Sequence, residues 1–248
     1  MKSRRRDRSR DARSIAEASW SPIDLGLAPG RYEAALAHLF DRPAPAGGQQ
    51  AWVWDDDPEA FAATPLEWTR IQTLVFANAA VDLRAFSDDQ VGMGLNFLMD
   101  NGLSDVPYAA IHESVPVDEA MRMMRAMPRL WRDGIGPRLS SVRAGIGSGA
   151  GGRLGHVCYM WFDVWPTFYL VRDRQPWRDA VWHVLEQMLE VPCREVRIAA
   201  LHGIGHRGRD LGRDAEIDRA VDALLSELGH DDAELRTYAN AAREGRVL

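Results

Sequence analysis

Two histidines four residues apart, His202 and His206, stand in the run AALHGIGHRGRD at residues 199–210. On a helix that spacing sends both imidazoles to one face, where two neutral ring nitrogens can reach one metal ion. Two imidazoles do not make a tight site, so a third ligand has to come from elsewhere in the chain. In the zinc-protease pattern H-E-x-x-H, a glutamate follows the first histidine and acts as base. Here that position is Gly203, which has no side chain, and this argues against that chemistry. A second stretch, GHVCYMWFDVWPTF at residues 155–168, sets polar groups among apolar ones. His156 and Asp163 are seven residues apart, on one helical stripe, and Thr167 extends it. A carboxylate in such company must be paired or hydrogen-bonded. Either Asp163 caps a neighbouring helix or pairs with an arginine, or Asp163 and His156 meet His202 and His206 in a cleft. Three histidines and a carboxylate would hold zinc or another divalent metal. His202, His206 and Asp163 would equally serve acid–base catalysis.

Other candidate chemistry is thinner. No G-x-S-x-G occurs, and Cys158 lies two residues after His156, on a different side of a helix. The run RAGIGSGAGGRLG at residues 143–155 contains Gly147, Gly149 and Gly152 in a formal G-x-G-x-x-G. A dinucleotide fingerprint needs a strand before it, and what precedes this one reads as helix, so the run reads as a linker. Trp161, Trp165, Trp177 and Trp182 crowd into 22 residues and read as core. An exposed subset, Trp161 and Trp165 beside His202 and His206, would instead anchor a binding partner. Trp52 and Trp54 in AWVWDDDP read as a clamp holding their loop on the helices.

The elements that must position these groups are helices. TPLEWTRIQTLVFANAA (residues 64–80) opens on a Thr cap with Pro in the first turn. SDDQVGMGLNFLMD (87–100) opens with Ser87 and Gln90 at capping-box spacing. PVDEAMRMMRAMPRLWRDGI (116–135) reads as a helix kinked or split at Pro128. LGHVCYMWFDVWPTFYLV (154–171) reads as a buried helix, broken by His156, Asp163 and Pro166 and so unfit to span a membrane. Helices follow at 176–190, 192–206, 214–229 with a terminal Gly cap, and 231–245 with Asp caps. Nothing reads as a run of strands. The expected class is all-α, with a basic disordered tail (1–17), an N-terminal helical region (18–142), the glycine-rich linker (143–153) and a C-terminal helical region (154–248), packed as one body.

PCREVRIAALHGIG (192–205) resembles the second helix of a HEAT-type repeat, x-x-V-R-x-A-A-L-x-x-L-G. The matching residues are Val196, Arg197, Ala199, Ala200, Leu201, Ile204 and Gly205. A further unit is suggested by Asp232, Leu235, Arg236, Ala239 and Ala242. The resemblance implies an α-solenoid, or an irregular α–α superhelix, that binds protein or peptide partners. It carries no catalytic residues with it. It would place His202 and His206 toward solvent and Gly203 toward the packing side.

Charge narrows the partners. Seven basic residues against two acids in the first thirteen turn the chain's formal −6 into −11 for the remainder. An acidic body disfavours nucleic acid and suits a basic protein partner. The two cysteines, Cys158 and Cys193, are too few for a disulfide scaffold and fit buried thiols in a reducing, cytoplasmic compartment. Two readings stand: a helical-repeat binding or scaffold protein that engages a protein partner, or a metal-dependent or acid–base enzyme, hydrolase-like, built on the histidine–aspartate group.

Overall fold

The computed structural model describes residues 20–44 and 61–247, apart from Gly229. The basic tail, Trp52, Trp54 and the cap at Gly229 lie outside the described residues. Among the described residues every regular element is helical. The longer helices are α1 (Arg31–Phe40), α2 (Pro65–Ala77), α3 (Asp88–Met99), α4 (Val117–Arg129), α5 (Gly152–Val164), α6 (Pro166–Val171), α7 (Trp177–Glu190), α8 (Arg194–Arg207), α9 (Asp214–Leu228) and α10 (Ala233–Arg243). No helix among the described residues is long and apolar enough to cross a membrane.

Helix starts follow from local chemistry. At Thr64 and at Ser87 both halves of a capping box form, with Glu67 and Gln90 reaching back to the cap backbone. Asp232 caps α10 by accepting from the Leu235 N–H at 2.9 Å. Two expectations change. α4 runs through Pro128, and the chain then widens into a π-helical turn, Leu130–Ile135, just past the position where the regular ladder lacks a donor. The apolar block 154–171 is two helices, because Trp165, preceding Pro166, is held extended at φ −79° and ψ 112°.

The N- and C-terminal halves share one apolar core, from Leu25 to Ala242. Trp131 from the first half stacks on Phe162 of α5 (6.1 Å, 23° between planes) and meets Trp161 edge-on at 5.2 Å. α3 crosses α5 so closely that a Cβ on Gly92 would lie 2.7 Å from the Leu154 backbone nitrogen. Between the halves, Gly147, Gly149, Gly151 and Gly152 all have positive φ. This segment is tied to the C-terminal helices, since Arg194 donates to the Ala144 carbonyl (2.9 Å) and the Ile146 N–H to Glu234 (3.0 Å). Beyond it, α7 packs on α8, α9 on α10, and α8 on α10, so two consecutive helical hairpins lie side by side. α8 also packs along α5. That third neighbour positions the candidate site.

Candidate metal centre

α8 starts after Cys193, whose backbone is extended, and runs with Val196, Ala199, Ala200, Leu201 and Ile204 buried. Gly203 faces inward as the repeat pattern implies: a Cβ there would sit 2.9 Å from the Phe162 ring and 3.1 Å from Leu185. The same pattern would leave His202 in solvent, and the structure corrects this. α5 and α10 both lie against α8 and enclose the His202 ring, which is 1% exposed. His206, one turn later, keeps 35% of its side-chain surface open, and Asp163, near the end of α5, keeps 23%.

These three side chains converge. His202 Nε2 lies 2.9 Å from Asp163 Oδ2. His206 Nε2 lies 3.3 Å from Asp163 Oδ1 and 3.2 Å from His202 Nε2. The two Nε2 atoms thus stand side by side, each facing a different oxygen of the Asp163 carboxylate. Ligands at metal distances of about 2.0–2.1 Å stand roughly 2.8–3.4 Å apart in octahedral or tetrahedral geometry. The two imidazoles are at that spacing, and one ligand atom from each of the three side chains lies within 4.8 Å of the other two. Among the described residues these are the His, Cys, Asp or Glu side chains grouped closely enough to hold an ion. No protein-family model, curated protein or solved structure matches the chain. What the site does must be argued from its own geometry.

Two tyrosines complete the surroundings. The Tyr238 hydroxyl on α10 meets His202 Nδ1 at 2.6 Å. The Tyr159 ring, one turn before Asp163 on α5, lies 4.2 Å from the His202 ring. Burial, then the hydrogen bond to Tyr159 and the nearby Asp163 charge, push the Tyr238 phenol well above its ordinary value, so it stays protonated. Tyr159, partly buried, lies four residues before Asp163 on α5 and reads in the sequence only as part of an apolar run. Tyr238 carries no signal either, since it arrives on a helix more than thirty residues away.

The expected fourth ligand is not there. His156 is exposed at the other end of α5. It lines two clefts beside the glycine-rich segment: one of about 480 Å³ with Met93, Asn96 and Arg153, the other of about 240 Å³ with Ser148, Tyr159, Met160 and Glu195. Seven residues of helix rise about 10 Å, too far for His156 and Asp163 to share one ion. Thr167 is fully buried past the Pro166 break and takes no part. Asp163 finds histidines rather than an arginine or a helix end. Trp161 and Trp165, offered as partner anchors if exposed, are 0% and 2% exposed and belong to the core. Trp177 and Trp182 are buried as well.

Proposed function

We propose that this protein binds one divalent transition metal of the zinc class on Asp163, His202 and His206, and uses it for metal-assisted hydrolysis. The observation that carries this reading is the convergence of the two Nε2 atoms, 3.2 Å apart, on the two oxygens of one carboxylate, at 2.9 and 3.3 Å. Without a cation the two histidines compete for one carboxylate. Asp163 as carboxylate only accepts, and if both histidines donate to it, their two N–H groups stand head to head at 3.2 Å. A metal ion can accept from all three at once, since one ligand atom of each lies within 4.8 Å of the others. Two imidazoles and a carboxylate, with no thiolate, suit zinc, cobalt, nickel or iron(II) rather than copper(I). Three protein ligands are also the number found in catalytic zinc sites, where a further position takes water or substrate and the ion lowers the pKa of that water. His206 and Asp163, the more open ligands, mark the side from which substrate approaches.

The test is metal analysis of protein purified without an affinity tag, followed by melting with added zinc or nickel. Stoichiometric metal, and a melting temperature raised by zinc in wild type but not in His202→Ala, is the expected result. No stoichiometric metal together with an unchanged melting temperature overturns the reading.

A second reading, a HEAT-like binding protein, is favoured by the paired hairpins α7–α8 and α9–α10. Between α7 and α9 lies a groove of about 300 Å³ lined by Glu186, Glu190, Glu216, Glu227 and Arg219, with Glu216 and Glu227 paired to Arg213 and Arg197, whose excess of carboxylates suits a basic protein partner. The metal reading is preferred because the groove needs an unidentified occupant, whereas the histidine–carboxylate group defines the class of its own.

A further inference from the structure

The hydroxyl facing His202 Nδ1 is an unusual choice of partner with a chemical consequence. A histidine that gives Nε2 to a metal must carry its proton on Nδ1, and that proton needs an acceptor. Without metal, the Nε2–H is what satisfies Asp163 Oδ2 at 2.9 Å, and Nδ1 then needs a donor. A carboxylate or a backbone carbonyl could serve only the first state. A phenol serves both, because it donates and accepts. We infer that Tyr238 is a positioning residue whose hydroxyl reverses its hydrogen bond so that His202 changes tautomer when metal enters.

The inference rests on the metal reading above. The geometry allows the reversal. Tyr238 is within 2.6 Å of Nδ1, and the Tyr159 hydroxyl lies near enough to act on its phenol. When metal is present, His202 Nδ1–H donates to the Tyr238 oxygen, and the Tyr238 O–H donates to Tyr159. When metal is absent, Tyr238 O–H donates to Nδ1 and accepts from Tyr159. Tyr159 can follow either direction because its hydroxyl borders the cleft beneath Gly147, where a Cβ would lie 3.9 Å away. The Tyr159 ring, packed on the imidazole at 4.2 Å, keeps His202 from turning instead of changing tautomer. No proton is gained or lost by Tyr238 in this exchange; only the direction of two hydrogen bonds changes.

Long-range nitrogen–proton NMR of the full chain reads the protonated ring nitrogen of His202 directly. In wild type it is expected on Nε2 without metal and on Nδ1 after one equivalent of zinc. Tyr238→Phe keeps the ring and removes the hydroxyl. It is expected to weaken zinc binding at least about tenfold, the usual effect of losing an outer-shell partner, and to lower the metal-free melting temperature by several degrees, since the buried Nδ1 loses its donor. Tyr159→Phe leaves the Tyr238 oxygen in place and should cost less than Tyr238→Phe. Zinc binding with the His202 proton on the same nitrogen throughout, or Tyr238→Phe binding zinc as tightly as wild type, overturns the assignment of Tyr238 and leaves the metal site standing. Wild-type protein that takes up no zinc overturns both.

Discussion

Gly203, between the two histidines, decides a contest between helix propensity and packing. In an exposed mid-helix position, Gly→Ala stabilises by about 1 kcal/mol. At Gly203 the new methyl would stand 2.9 and 3.0 Å from two Phe162 ring atoms and 3.1 Å from Leu185. That is about half an ångström inside ordinary contact. Phe162 cannot swing aside freely, because Trp131 stacks on it at 6.1 Å and Phe168 meets it edge-on at 4.9 Å. Overpacking of this kind costs about 1–3 kcal/mol. The packing term wins or draws, leaving Gly203→Ala less stable by up to about 2 kcal/mol. For a chain of this size that lowers the melting temperature by up to roughly 8 °C. The neighbouring His202 would be carried away from Asp163 by the same fraction of an ångström, near the tolerance of a preorganised site, so zinc binding should weaken too. Thermal melting with and without zinc measures both effects. Gly205→Ala is the internal comparison: its Cβ would meet the aliphatic Val247 side chain rather than a stacked aromatic ring. A melting temperature that rises by 2–4 °C in Gly203→Ala would refute the argument, since propensity alone predicts that rise.

Two further predictions separate the site from the scaffold. His206→Ala removes a ligand that is about one-third exposed, so the metal-free melting temperature should move by less than about 2 °C, while the zinc-induced rise disappears in a zinc titration of the same melt. At Asp232, burial pushes the carboxyl up, but the Arg194 hydrogen bond and the Leu235 N–H outweigh it and hold it below its ordinary value of 3.8. A depressed folded value stabilises fully above the ordinary value, and the contribution is lost as pH falls through the folded one. Asp232→Asn should therefore lose stability near neutrality and show a flatter acid limb in melts taken from pH 6 downward. An acid limb as steep as wild type would mean that Asp232 is not one of the groups setting it.

How much of this was legible in the sequence divides along a physical line. Within one helix, spacing decides which residues share a face, and the spacing was readable: the His202/His206 pair, the stripe of His156 and Asp163, and the capping residues Thr64 and Ser87. The same geometry, taken with its axial rise, also removes His156, since sharing a stripe two turns apart is not sharing an ion. Between helices, spacing says nothing about register. That Asp163 reaches α8 at all depends on how Phe162 and Leu185 close around Gly203, a fit between three helices distant in sequence. The burial of His202 was misjudged for a related reason. A repeat pattern assumes two neighbours for each helix, and α8 has a third in α5, which covers the face that a regular array leaves to solvent. Tyr238 was invisible because nothing about a tyrosine in AELRTYANAA marks it as a partner for a ring on another helix.

The same packing argues against treating the C-terminal region as a separable module, although the glycine-rich segment divides the chain there. The three ligands all lie on α5 and α8, beyond that segment. α5 is nevertheless gripped from the other side, by α3 through the Gly92–Leu154 approach and by Trp131 stacked on Phe162. Phe162 immediately precedes Asp163, and it also sets the closeness of α8 at Gly203. Removing the N-terminal helices would free one face of Phe162, and with it the element that fixes both the carboxylate and the helix carrying the histidines. The grouping of Asp163, His202 and His206 is thus a product of the whole core. Its contacts of 2.9–3.3 Å depend on helices from both halves, and a fragment of residues 152–247 would keep the three side chains and lose their spacing.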